Sequence, residues 1–183
     1  HDLVQSLGGT CVMASLNSVG IAGIVALRRH AVLPVHAHRN GWGALTRAPM
    51  LGHDYAAWSK IWRIAGVDHM HVNGLQNKFC ESDASVVAAA RSLRTPLWPD
   101  APFGVMPVVA SGQSAAQVHG TWAALGSVDL IHAAGGGIMA HPFGPAGGVA
   151  AMRAAWDAAQ AGIPLDVAAR DDKGLAAAVS FSR

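Results

Sequence analysis

The sequence predicts an α/β fold built from about five consecutive parallel strand–helix units, of the kind that close a TIM-type (β/α)8 barrel. Three observations predict it. Short, largely apolar runs of β-branched character alternate with longer stretches of helical periodicity, the runs show no regular apolar/polar alternation, and polar residues collect near their C-terminal ends. Strands without that alternation belong to a sheet covered on both sides. A doubly wound sheet would satisfy the first two observations equally well. The third favours the barrel, whose sites are assembled on the loops after the strands.

The first strand is expected over Thr10 to Leu16, with a helix over roughly Val19 to Arg29. The next runs from Leu33 to Ala37 and leads, through the loop HRNGWGALTRAPMLGH, to a helix near Asp54 to Ala65. Asp68 to Val72 precedes a helix from about Asp83 to Leu93, and Met106 to Ala110 precedes one near Ser114 to Leu125. Val128 to Ala133 is the last strand, closed by a helix from about Gly148 to Ala161. The residues before Thr10 read as the tail of an amphipathic helix already in progress, so a fragment of a longer chain is expected.

Composition narrows the partners. The 183 residues are 51% apolar and 13% charged, enough to bury a core. The formal net charge is +2 and Lys and Arg are scattered, with no basic stripe and no aromatic interleaving, which argues against nucleic acid. Mean hydropathy is +0.28, and residues 130–152 carry no Asp, Glu, Lys or Arg. Two His, two Pro and many Gly would break a spanning helix there, so the stretch reads as buried strand plus loop and no membrane is expected. Cys11 and Cys80 have no CxxC or CxH context, which fits a reducing cytoplasm.

Two HxH pairs, His36/His38 and His69/His71, lie near the ends of successive strands, and i,i+2 spacing puts each pair on one face. They read as metal ligands, as satisfied core histidines, or as hydrogen-bonding groups in an anion site, the last because Arg39 follows directly and its fork suits phosphate or carboxylate. Ser111-Gly112-Gln113 and Ala134-Gly135-Gly136-Gly137 follow the last two strands, where barrels bind phosphate through backbone N–H groups; a triple glycine alone reads as a turn, and its position after the final strand favours the phosphate reading. Lys78, in the loop 73–79, reads as a solvated lysine or as the cation of a glycine-containing lid.

Taken in order, HAHR at 36–39, DHMHVNG with Lys78 seven residues after His71, PVVASG at 107–112 and GGGIMAHPFGPAGG at 135–148 resemble the C-terminal barrel part of the RuBisCO large chain, over about Leu33 to Gly162. The family patterns read HIHR, DHIH followed by a mobile-loop lysine, PVASGG and GGGTLGHPWG. The resemblance implies that residues 1–183 are the C-terminal portion of such a barrel, without the family's N-terminal domain and first strands. It implies that Arg39, His71, Ser111 and Gly112 meet an anionic end of the substrate and that Gly135 and Gly136 hold phosphate through their amides. His38 would sit beside the reacting carbon, and Lys78 would stabilise developing negative charge.

The departures point to a type IV, RuBisCO-like protein and away from carboxylation. Gln113 stands where the family has a phosphate-binding glycine, Asn40-Gly41-Trp42-Gly43 replaces an AMHA-type segment, and Leu-Gln-Asn precedes the lysine. The family's Mg2+ centre, a carbamylated Lys followed by Asp and Glu, has no match in 1–183, so its ligands are expected elsewhere in a longer chain. The resemblance implies a lyase or hydrolase of carbohydrate metabolism working through a Mg2+-stabilised enolate on a sugar phosphate of the 3-oxo-isoapionate 4-phosphate type, by decarboxylation or transcarboxylation/hydrolysis. It also implies a homodimer, and no activity from the fragment alone.

Three rivals stay open. An enolase or isomerase of methylthioadenosine salvage uses the same family fold. A metal-dependent hydrolase would bind zinc through the HxH pairs and needs a strand-end carboxylate, for which the sequence offers no clear candidate. A non-catalytic barrel fragment or scaffold would give neither turnover nor a thermal shift with sugar phosphates.

Overall fold

In a computed structural model, residues 1–46, 48, 50–79, 81–100 and 104–181 are described. The strands are β1 Val12–Ser15, β2 Val35–His38, β3 His69–His71, β4 Met106–Val109 and β5 Ile131–His132, in one sheet of order β1-β2-β3-β4-β5. The β1/β2, β2/β3 and β3/β4 pairs are parallel. Unbroken sequential order is what a barrel requires. A doubly wound sheet reverses its order at a switch point, so the order settles a question that periodicity left open.

The helices are α1 Asp2–Ser6, α2 Leu16–His30, α3 Gly43–Thr46, α4 Tyr55–Ala65, α5 Asp83–Arg94, α6 Val118–Leu125, α7 Gly135–Met139, α8 Gly144–Gln160, α9 Leu165–Asp171 and α10 Lys173–Phe181, with a 3-10 turn over Ala115–Gln117. Among the described residues no helix is long and apolar enough to cross a membrane. The chain divides into two compact units, residues 1–72 with 88–108, and residues 73–87 with 109–183.

In the first unit Leu16, Ile24, Val35, Met70, Leu93 and Val108 are fully buried. Each stabilises the fold by about 1.5–3 kcal/mol through removal of apolar surface from water. Polar residues fix the ends of its elements. Asp54 caps α4 by accepting the Ala57 N–H at 3.1 Å, and Gly66, with φ 97°, closes it. The buried Arg63 of α4 donates to the carbonyls of Ser92 and Thr95 at 2.8 and 2.7 Å. Arg28 reaches from α2 to Asp68 at 2.8 Å, and the same carboxylate oxygen accepts the Val35 N–H at 2.7 Å at the start of β2.

In the second unit α6, α7, α9 and α10 surround α8. Their shared core is made of small residues, with Ala115, Ala134, Ala151, Ala155, Ala159 and Ala178 packed around Val118, Met152 and Leu175. Alanine lets helix axes approach closely while conceding no side-chain entropy.

The strands are shorter than expected from the sequence, and the first gives way early. Leu16 already begins α2, and Gly20, at φ 73°, interrupts that helix near the expected start at Val19. Residues 130–152 hold one two-residue strand followed by α7 and most of α8, so the expected loop is mostly helix. Helices α9 and α10 were not expected. Asp172 joins them: it is the C-terminal cap residue of α9, and its Oδ1 accepts the Leu175 N–H at 2.9 Å in the first turn of α10.

Candidate functional site

In the first unit the two HxH pairs form a single cluster. Strand alternation sets His36 and His38 on one face of β2, and the β2/β3 register pairs His36 with His69. His36 Nε2 lies 2.8 Å from His71 Nε2, the His38 and His71 rings are 4.5 Å apart at their centroids, and His36 meets His69 edge-on at 5.5 Å. The neutral form is favoured for His36, His38 and His71. Burial, with the neighbouring His38, His36 and Arg39, lowers the His71 pKa to about 3. Burial and the neighbouring imidazoles lower that of His36, and burial and Arg39 lower that of His38. His36 is therefore a satisfied core histidine, while His38 and His71 offer neutral imidazoles.

Arg39 follows β2 and is only 6% exposed. Its guanidinium lies over the Tyr55 ring at 4.8 Å and the Trp42 ring at 5.9 Å. The Tyr55 hydroxyl donates to the His71 carbonyl at 2.5 Å, so one residue braces both the arginine and the end of β3. Trp42, Tyr55, Trp58 and Trp62 pack ring on ring beneath. The guanidinium is thus seated on aromatic faces in a place shielded from water.

The second unit holds Lys78, Ser111, Gly112, Gly135 and Gly136. Ser111 and Gly112 turn the chain after β4 with φ of 74° and 80°. The Ser111 hydroxyl donates to Asn73 Oδ1 at 2.7 Å, so its proton is committed to the loop that carries Lys78. Lys78 is exposed, its N–H donates to the Ser111 carbonyl at 3.3 Å, and its Nζ lies 5.5 Å from the Phe79 ring centroid. The triple glycine is the N-terminal turn of the five-residue α7, a helix where the sequence suggested a loop. Its members differ. A Cβ on Gly137 would stand 2.7 Å from the Gln113 carbonyl oxygen and 2.8 Å from Ser114 Cα, whereas Gly135 and Gly136 have nothing within 4 Å of that position. Gly137 is required by packing, and the other two leave open space.

The sequence did not single out Tyr55, Asn73 or His141. Tyr55 carried no signal beyond being aromatic in a helix. Asn73-Gly74 is a turn dipeptide, and Asn73 indeed takes a left-handed φ of 64°. His141 is buried, and its Nδ1 accepts the Phe143 N–H at 3.0 Å while Nε2 lies 3.0 Å from the Gly174 carbonyl, which makes it a strut between α7 and α10.

Among the described residues the group of three His, Cys, Asp or Glu side chains with donor atoms mutually within 4.8 Å is His1, Asp2 and His30. His1 spends Nδ1 on Asp2 and Nε2 on the Val32 and Leu33 N–H groups. Mg2+ takes a shell of oxygens, which neither this group nor the imidazole cluster supplies. The described residues therefore do not fit a Mg2+ site, and within the HxH pairs His36 bonds to His71 while no three of the four imidazoles bring ligand atoms within 4.8 Å of one another. Cys11 is exposed and Cys80 lies outside the described residues.

The profile of the ribulose bisphosphate carboxylase large chain, catalytic domain, matches residues 1–181. The chain belongs to this family. Its five strand–helix units are thus the C-terminal part of the RuBisCO TIM barrel. The 3-oxo-isoapionate-4-phosphate transcarboxylase/hydrolase of Xanthobacter autotrophicus is 56% identical over 183 residues, all of this chain and 44% of its own length. The 3-oxo-isoapionate-4-phosphate decarboxylase of Rhizobium etli is 44% identical over 181 residues, 98% of this chain and 43% of its own. The crystal structure of a rubisco-like protein from Burkholderia fungorum superposes with a TM-score of 0.94 at 49% identity, over 98% of this chain and 45% of that one. The chain thus spans under half the length of the curated relatives it matches.

Proposed function

We propose that this RuBisCO-family chain serves an enzyme that cleaves a carbon–carbon bond in a phosphorylated keto-sugar acid of the 3-oxo-isoapionate 4-phosphate type. The observation that carries this reading is 56% identity, over the whole chain, to a transcarboxylase/hydrolase of that substrate. In the reaction the bond to the carboxyl carbon breaks and the electron pair remains as an enolate until a proton returns to carbon, while the carboxyl carbon either leaves as CO2 or is taken up by a second nucleophilic atom of the substrate whose new carbon–carbon bond is then hydrolysed. The Mg2+ that the family resemblance implies has no ligand set among these residues, and its ligands are assigned to other parts of a longer, cytoplasmic, homodimeric protein.

The roles of this chain's residues follow from their charge. Arg39, braced by Tyr55 and Trp42, supplies a guanidinium for an anionic end of the substrate, with neutral His71 as hydrogen-bond partner. Ser111, Gly112, Gly135 and Gly136 supply backbone N–H groups to phosphate, and Gly135 and Gly136 have the room for one. His38, kept uncharged, moves a proton at the reacting carbon, and Lys78 lends its ammonium to the developing enolate.

The test is turnover of 3-oxo-isoapionate 4-phosphate by the full-length protein, followed as substrate consumption and formation of phosphorylated products, with CO2 release read separately to tell decarboxylation from transfer. Arg39→Ala should raise KM by about 1.5–3 kcal/mol, the loss expected for a hydrogen bond to a charged group. Absence of turnover with this substrate would overturn the reading, and an unchanged KM would remove Arg39 from the site.

A further inference from the structure

We propose that Gln113 is a positioning residue that latches the Lys78 loop in one conformation, so that the lysine is presented from a fixed base and not from a free lid. Gln113 is 2% exposed, yet it stands at the end of a turn where a small residue would suffice. Within the second unit its side chain donates from Nε2 to the Leu75 carbonyl at 3.0 Å. The amide crosses the bare face of Gly74, where a Cβ would lie 2.2 to 2.4 Å from its carbon, nitrogen and oxygen. Gln113 and Gly74 are thus a matched pair, since any side chain at 74 would expel the amide.

A second latch works beside the first. Ser111 Oγ donates to Asn73 Oδ1 at 2.7 Å, and Asn73 Nδ2 donates to Glu81 Oε2 at 2.6 Å, which ties the turn after β4 through Asn73 to the far end of the loop. Between these anchors Asn77 Nδ2 donates to the carbonyls of Gly74 and Glu81, and the Gln76 N–H to Asp83 Oδ1 at 2.7 Å. Asn73 and Gln76 sit at φ of 64° and 52°, a region that non-glycine residues occupy only where the surroundings over-determine it.

Gln113 Oε1 meanwhile is buried with no hydrogen-bond partner among the described residues. Burying that oxygen unpaired opposes folding, so the side chain is held there by what its donor and its packing on Gly74 accomplish. The Lys78 ammonium stays exposed while its backbone is held, an arrangement that fixes where the charge starts from and leaves its tip free to reach.

The catalytic consequence rests on the reading of Lys78 given above; the latch itself does not. In the full-length protein, Gln113→Met keeps the volume and removes the donor, and Gly74→Ala drives a methyl into the amide. Both should speed amide hydrogen exchange over residues 74–79 by on the order of tenfold and speed tryptic cleavage after Lys78, with exchange in α8 unchanged as the measure that the unit remains folded. If either variant fails to fold, Ser111→Ala, which cuts the second latch, gives the same readout. Unchanged exchange over 74–79 in a folded Gln113→Met protein would overturn the proposal. A lowered kcat at constant KM alongside faster exchange supports the latch and the catalytic lysine together. Faster exchange with unchanged kcat supports the latch and instead removes Lys78 from the chemistry.

Discussion

His36 Nε2 and His71 Nε2 lie 2.8 Å apart, a hydrogen bond between two histidines from neighbouring parallel strands. One ring must donate and the other accept, so the bond exists only while at least one of the two is neutral. The same burial that shields the pair makes protonating it unfavourable.

That relationship sets a pH dependence. The His71 pKa falls to about 3 and that of His132 to about 4 by burial, and those of His36 and His38 are also lowered, from an ordinary value of 6.5. Between 6.5 and the depressed values the unfolded chain binds protons that the folded chain does not. Stability therefore rises with pH across this window, is complete above about 6.5, and is lost progressively as pH falls towards 3. Denaturant titrations from pH 7 to 4 should show the midpoint falling, and His71→Phe should flatten the slope. A flat profile in the parent protein would sink the prediction.

Tyr55 should separate two duties by substitution. Tyr55→Phe keeps the ring under Arg39 and leaves the His71 carbonyl without its donor, with an expected loss of about 1–3 kcal/mol in stability and little change in KM. Tyr55→Leu also removes the aromatic face and should raise KM. Equal KM values for the two variants would mean that the stacking does not orient the guanidinium.

Lys78→Met should lower kcat by on the order of 10²-fold, the scale for removing one group that stabilises charge in the transition state, with a smaller change in KM. Stability should be untouched, because the side chain is exposed. Parent-like kcat would leave Lys78 a solvated surface residue.

The three glycines should part company. Gly137→Ala, which sets a methyl 2.7 Å from the Gln113 carbonyl oxygen, should destabilise by about 1–3 kcal/mol, the usual range for an overpacked site. Gly135→Ala meets nothing within 4 Å and should leave stability unchanged or slightly raised while weakening sugar-phosphate binding. Thermal melts with and without ligand read both effects, and equal melting losses for the two variants would contradict the distinction.

The sequence by itself determined the succession of strand and helix, because hydrophobic period is a property of neighbours along the chain. It also placed His38, Arg39, His71 and Ser111 at or just past strand ends, since β-alternation and turn chemistry position those residues without reference to anything distant. Where elements end was less legible. The Gly20 break, the short helix over the triple glycine and the Asp172 corner all depend on left-handed backbone, on close packing or on a cap bond that no local pattern announces. Only tertiary structure decided that four histidines close on one another, that Tyr55 serves both Arg39 and His71, and that Gln113 fills the face of Gly74. Each is a contact between residues 16 to 39 positions apart, and its geometry is set by sheet register and packing, quantities that no single stretch of sequence contains.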